Sequence, residues 1–290
     1  MSFAHWIARR TRQLAALPRA TITYSSATRR ASDGPPIFVI GSTRSGTTLL
    51  RKILNAHSRI ACPGESWFLY TLLQQVNNPH VAKGLLSLDV HRDEVMKNIR
   101  EYALHTFEGY LQRSGKARWA DKTPHYTLIG EEIVELFGEV RFLHCLRHGM
   151  DVANSMKDWW WVIDRVGEDA DEATRIEEAA RQWVKFTECA DALAEKHPSL
   201  VHTVRYEELL RDPEGVMRAA LSFVGEAWEP EMIDYQAFPQ RGFGDPKSGD
   251  HGGIDPTNVK KYLAWPADVR DRVQRILGHQ LERYGYTVEA

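Results

Sequence analysis

The stretch Ile37-Phe-Val-Ile40-Gly41-Ser42-Thr43-Arg44-Ser45-Gly46-Thr47-Thr48-Leu49-Leu50 decides the fold class of this 290-residue chain. It follows a break at Asp33-Gly-Pro-Pro36. Ile37–Ile40 is a short β-rich apolar run without polar alternation, the pattern of a strand buried on both faces in a parallel sheet. From Thr47 to Ala56, Leu49, Leu50, Ile53 and Leu54 recur at helical spacing. Between strand and helix lies a G-x4-G loop, the context that a phosphate loop requires. Backbone N–H groups there curl round an anion, and the helix adds a positive end equivalent to roughly half a charge. A Gly/Ser/Thr-rich turn that merely joins strand to helix is the plainer alternative.

The loop lacks what metal–triphosphate chemistry needs. A nucleotide hydrolase or kinase carries Lys after the second glycine; here Thr47 stands there, and the positive charge comes from Arg44 inside the loop. No strand ends in an Asp placed to help hold Mg²⁺, because the run Val140–Leu146 leads into Arg147. Both departures point to a less charged 5′ group bound without metal.

Outward from this loop, strands and helices alternate. Arg59–Cys62, Arg118–Asp121, Val140–Leu146 and Leu200–Val204 read as further strands. Residues 66–115 read as mostly helical with a break near Asn77-Asn-Pro79, and Tyr126–Phe137 as one helix closed by Gly138. A helix is expected from about Val152. Ile176–Ala194 carries Ile176, Ala180, Trp183, Phe186, Ala190 and Leu193 on one face. Pro213–Val224 and Asp268–Tyr284 read as helices, and residues 236–258 as a long loop. The expected fold is α/β, a P-loop-like parallel sheet with helices on both faces. One domain over residues 35–290 follows a basic arm, 1–34, which holds six arginines and one acid; Phe3–Leu17 could form a basic amphipathic helix.

Composition bounds the function. With 43% apolar and 26% charged residues and a formal net charge of −2, the chain lacks the basic excess of a nucleic-acid binder. No apolar run approaches the ~20 residues of a membrane span. Cys62, Cys145 and Cys189 form no CxxC pair, which argues against a zinc site or a disulfide framework and for a reducing cytoplasmic setting.

A second anion site is expected at Arg147, which ends a strand and offers a planar fork suited to phosphate, with the Ser155 hydroxyl eight residues on. Two such sites imply a ligand with two anionic ends. Here the chain resembles a known family. IFVIGSTRSGTTLL resembles the 5′-phosphosulfate loop of sulfotransferases that use PAPS (3′-phosphoadenosine 5′-phosphosulfate), and RFLHCLRHGMDVANS their 3′-phosphate motif. RSGTTLLRKILNAHSRIACPGE, ending at Glu65, and VRYEELLRDPEGVMRAALSFVG are similar to tyrosylprotein sulfotransferases and the bacterial enzymes near them. The resemblance implies PAPS as donor and PAP as product. It implies donor binding by Arg44, Ser45, Gly46, Thr47, Thr48, Arg147 and Ser155, with Tyr206 near the adenine unless that residue is a core tyrosine.

Sulfuryl transfer needs in-line placement of a hydroxyl, a base, and stabilisation of charge on the leaving phosphate. Glu65, after the second strand, is the candidate base, with helix capping near Trp67 as its alternative; His125 is the rival base. Arg44 and Lys122 are the candidates for charge stabilisation, or else salt-bridge partners. His57, His144 and His148 read as structural. At least one of Trp159, Trp160 and Trp161 should be exposed, in an acceptor wall or a contact between copies of the chain, with the other two in the core. Lys247, Ser248, Lys260 and Lys261 fall where relatives close the donor site with a basic segment. The acceptor is a hydroxyl of an alcohol, sugar or phenol, on a small molecule or a biopolymer. A metal-dependent phosphotransferase with a degenerate loop and a non-catalytic nucleotide-binding protein remain open alternatives.

Overall fold

The computed structural model describes residues 31–238 and 259–289. Most of the basic arm, and Lys247 and Ser248, lie outside them. Five strands, β1 (Ile37–Gly41), β2 (Ile60–Ala61), β3 (Arg118–Lys122), β4 (Arg141–Leu146) and β5 (Val201–Arg205), form one sheet in the order β2-β3-β1-β4-β5. Every pairing is parallel, as the unalternating apolar run of β1 leads one to expect. The chain leaves β1 towards β2 on one side and β4 towards β5 on the other. Their carboxyl ends therefore flank the point where strand order reverses, the place where open α/β sheets bind ligands.

The helices are α1 (Thr47–Ala56), α2 (Phe68–Val76), α3 (Pro79–Leu86), α4 (Arg92–Ser114), α5 (Gly130–Phe137), α6 (Gly149–Met156), α7 (Trp160–Val166), α8 (Glu172–Lys196), α9 (Tyr206–Arg211), α10 (Pro213–Val224) and α11 (Ala267–Arg283). Side-chain alternation along β1 divides the core. Ile37 and Val39 pack with α1, α10 and the 3-10 helix Pro230–Ala237. Phe38 and Ile40 face the other way, to Trp119, Tyr126, Phe142 and helices α2, α4 and α5. There Phe107 stacks on Trp119, ring centroids 3.9 Å apart. Each fully buried large apolar side chain contributes about 1.5–3 kcal/mol.

The structure corrects several boundaries. The expected helix over Tyr126–Phe137 is a 3-10 helix, Pro124–Ile129, followed by α5, because Ile129 leaves helical geometry at φ −134°. Gly138 does cap α5, with φ 76° and its N–H on the Val134 carbonyl. Residues 236 and 237 finish a 3-10 helix rather than open a loop. Helix α6 starts at Gly149, three residues before the expected Val152. Its first turn is held by Gly149 lying flat against Trp183 and Leu277. The apolar face assigned to α8 is buried at all six positions.

The described residues divide into two compact units, one of residues 149–184 and 260–289 and one of residues 31–148, 185–238 and 259. The sheet belongs to the second. In the first, the buried Asp151 accepts from the backbone N–H groups of Lys260 and Lys261 at 2.7 and 2.9 Å, and the Trp265 indole donates to Asn154. Trp159, Trp160 and Trp161 are all half-buried. The expected split into one exposed and two core residues does not hold, because they straddle the start of a seven-residue helix, α7, whose one buried position is Val162.

Candidate active site

The loop between β1 and α1 is shaped by contacts that exclude side chains. Gly41 has φ 138°, and a Cβ there would lie 2.4 Å from the Cys145 carbonyl oxygen. Gly46, at φ 99°, would drive a Cβ to 2.2 Å from the Tyr206 ring. Ser45 Oγ donates to the Ser42 carbonyl at 2.7 Å, and the Cys145 thiol to the Ser45 carbonyl. Arg44 sits in the left-handed region at φ 72°, and its carbonyl accepts from Arg147 Nη1 at 3.1 Å. Helix α1 has no side-chain cap and no acid in its first turn. Its leading N–H groups have no partner within the helix and carry its positive dipole end at the loop. This arrangement fits an anion.

Arg147 is brought to the same edge by β4, and Tyr206 by β5. The guanidinium carbon lies 4.7 Å from the centre of the Tyr206 ring, a cation–π contact. Tyr206 is 5% exposed. One ring therefore supports both Gly46 of the loop and Arg147. Glu207, next in the chain, accepts from the His148 N–H at 2.8 Å. Ser155 lies on α6, in the unit that does not contain the loop.

Glu65 and Lys122 meet. Lys122 Nζ donates to Glu65 Oε1 at 2.6 Å and to Thr48 Oγ1 at 3.4 Å. The indole N–H of Trp67 donates to Glu65 Oε2 at 2.9 Å. The carboxylate is thus held through both oxygens by an ammonium and an indole, not by the helix amides that the capping alternative would require. Lys122 is wholly buried and Glu65 is 24% exposed, so this is no surface salt bridge. Trp67 accepts a left-handed backbone, φ 61°, to place its indole. His125 lies against Trp67, Tyr70 and Phe186, at centroid distances of 4.5, 5.3 and 5.4 Å. Burial pushes its imidazole down to about 4, against the opposing pull of Glu65.

The other histidines have structural surroundings. His57 Nε2 lies 2.9 Å from the Ala227 carbonyl, while Nδ1 accepts from the Arg59 N–H. His144 is buried within β4 and pushed down to about 4 by that burial. Cys62 and Cys145 are core residues, pushed up to about 12 by burial.

Two features escaped the sequence. Arg51 of α1 is buried, with one long hydrogen bond from Nη1 to the Cys62 carbonyl at 3.4 Å. Burial lowers its pKa, and Cys62, Tyr110 and Glu65 pull the other way. The available signal was a cation on the stripe of α1 that also carries Thr47, Leu50 and Leu54. Asp121 is the second; its carboxyl meets Ser66 and Tyr126 directly behind Lys122.

Beside this geometry stand the comparisons with known proteins. The profile of the sulfotransferase family matches residues 35–230. The chain belongs to the sulfotransferase family. The protein-tyrosine sulfotransferase of Drosophila melanogaster is 24% identical over 253 residues, which cover 83% of this chain and 49% of that one. This family member thus spans about half the length of that relative. Among solved structures, the sulfotransferase domain from the curacin biosynthetic pathway superposes with a TM-score of 0.64 at 21% identity, covering 89% of this chain and all of that one. Mouse sulfotransferase SULT7A1, solved in complex with PAP, gives 0.53 at 13% identity and covers 87% and 86%. These likenesses bear out the parallel α/β fold that the loop implied. Among the described residues, no helix is long and apolar enough to cross a membrane.

Proposed function

We propose that this chain transfers a sulfuryl group from PAPS to an acceptor hydroxyl. The observation that carries this reading is the chain Glu65–Lys122–Thr48, which ties a carboxylate to the phosphate loop through one buried ammonium. The loop amides of Arg44, Gly46, Thr47 and Thr48 hold the 5′-phosphosulfate, with Ser45, its own N–H on the Ser42 carbonyl, shaping the loop, and Arg147, its guanidinium over the Tyr206 ring, takes the 3′-phosphate. Ser155 is assigned to that phosphate on its motif alone. Glu65 accepts the acceptor's proton as the acceptor oxygen bonds to sulfur. The bond from sulfur to the 5′-phosphate oxygen breaks, and the pair of electrons leaves with PAP. Lys122 and Arg44 oppose the charge growing on that oxygen. His125 lies among Trp67, Tyr70 and Phe186, away from the Lys122–Thr48 link to the loop, and serves as packing for Trp67. No metal takes part, and transfer should survive a chelator. Residues 35–290 act as the functional domain, in a reducing cytoplasm where Cys62 and Cys145 stay free.

The test is a transfer assay with labelled PAPS over alcohols, phenols, sugars and tyrosine peptides, with PAP binding followed by calorimetry. Glu65→Gln should cut kcat by roughly 10²–10⁴-fold, the usual worth of a general base, and leave the Kd for PAP within a few-fold. Because the change also strips Lys122 of its counter-charge, urea unfolding is measured beside it. A normal kcat moves the base elsewhere. Tighter binding of ATP with Mg²⁺ than of PAP overturns the sulfotransferase reading in favour of a phosphotransferase.

A further inference from the structure

Behind the Glu65–Lys122 pair lies a carboxyl that this mechanism leaves unused. Successive residues of a strand face opposite ways. Lys122 therefore reaches Glu65 and Thr48, while Asp121 turns to the side of the sheet where Trp119 and Tyr126 pack. Asp121 is wholly buried. Its Oδ2 lies 2.5 Å from Ser66 Oγ and 2.7 Å from the Tyr126 hydroxyl, and those two oxygens lie 2.9 Å from each other. Its Oδ1 is buried without a hydrogen-bond partner.

Counting protons decides the charge. Three oxygens make three contacts, and each contact needs one proton. Ser66 and Tyr126 bring one each. If Asp121 is ionised, both hydroxyls point at Oδ2, and the Ser66–Tyr126 contact sets lone pair against lone pair. One more proton, on Oδ2, closes the circuit: Ser66 O–H to Asp121, Asp121 O–H to Tyr126, Tyr126 O–H to Ser66, or the same ring run backwards. The bare Oδ1 points the same way, since a buried carboxylate oxygen without a donor costs more than a neutral carbonyl oxygen.

We propose that Asp121 is a neutral carboxylic acid that closes a three-oxygen ring with Ser66 and Tyr126 and, through Ser66, positions the neighbouring Glu65. The positioning role rests on the sulfotransferase reading; the protonation state does not. Burial pushes the Asp121 carboxyl up to about 6 even with both hydroxyls donating to it and Lys122 nearby, and Glu65 pushes in the same direction. Only the protonated form makes all three hydrogen bonds of the ring, so the closed ring holds the proton more tightly. Tyr126, raised well above 10 chiefly by burial, keeps its own proton throughout. The arrangement spares the site a second negative charge, so Glu65 is the carboxylate left to pair with Lys122.

Infrared spectra of the full chain test the protonation. A carbonyl band of a protonated carboxyl should persist at pH 7 in the wild type and vanish in Asp121→Asn. No such band in the wild type overturns the proposal without recourse to any variant, and a band that survives Asp121→Asn belongs to another group and overturns it too. Ser66→Ala should lower kcat at least tenfold with the Kd for PAP unchanged, and Ser66→Thr should restore it. An unchanged kcat in Ser66→Ala removes the positioning role. A wild type that shows the band but sulfates no acceptor sinks the enzyme reading and leaves the ring standing.

Discussion

Arg147 shows how one side chain can serve two ends of a site. It gives one N–H to the Arg44 carbonyl and sets its guanidinium over the Tyr206 ring. Arg147→Ala should weaken PAP binding by roughly 1.5–3 kcal/mol, the worth of a charge-assisted hydrogen bond. It should also erase the preference for PAPS over the donor without the 3′-phosphate; calorimetry with both nucleotides reads this, and an intact preference takes Arg147 out of the site. His125 makes the contrasting case. With its imidazole at about 4, it stays neutral from pH 5 upward. His125→Gln should lower activity through loss of packing on Trp67 while leaving the acidic limb of the pH–rate profile in place. A limb that moves with this substitution would make His125 the base. The placement of these residues was legible in the sequence to different depths. Gly41, Gly46, Arg44 and Arg147 follow from motif spacing, because backbone curvature and strand ends are local. The pairing of Glu65 with Lys122 joins residues 57 positions apart, and nothing in either neighbourhood announces it.

At the scale of elements, the strands were readable because parallel strands buried on both faces need apolar runs, and β1 has one without interruption. The errors fell where two elements meet. Pro124 permits a tight first turn, and the backbone of Ile129 then breaks the helix that continuous apolar spacing suggested. The tryptophan run misled because a seven-residue helix has too little length to bury a face. Strand β3 is the element on which the site leans most. It presents Trp119 to the core and, at its end, Asp121 and Lys122 to opposite sides. Trp119→Ala should cost about 3–5 kcal/mol through the cavity left beside Phe38 and Phe107. Urea unfolding measures this, and a loss below 1 kcal/mol would mean that the aromatic stack is not what seats the strand.

For the molecule as a whole, buried titrating groups set opposing pH trends. Burial pushes the Asp121 carboxyl up from an ordinary 3.8 to about 6 and the closed ring carries it higher, so the native state keeps a proton that the unfolded chain gives up. That stabilisation is full below about 3.8 and is lost as pH rises through the raised native value. His125 and His144, held near 4 against 6.5, act oppositely: their contribution is full above 6.5 and is lost as pH falls to about 4. Urea titrations should therefore show the wild type gaining on Asp121→Asn between pH 7 and pH 4, by up to about 3 kcal/mol. A constant difference would mean that Asp121 titrates as in the unfolded chain. The shared ring of Tyr206 has a consequence for how such a molecule can change. Gly46 and Arg147, 101 positions apart, both rest on it. Substitutions at the three positions should be epistatic: a side chain at Gly46 meets both the strain of φ 99° and the Tyr206 ring, and the smaller residue at 206 that removes the clash also unseats Arg147. Laboratory evolution towards a donor with one anionic end instead of two should accordingly begin at Tyr206.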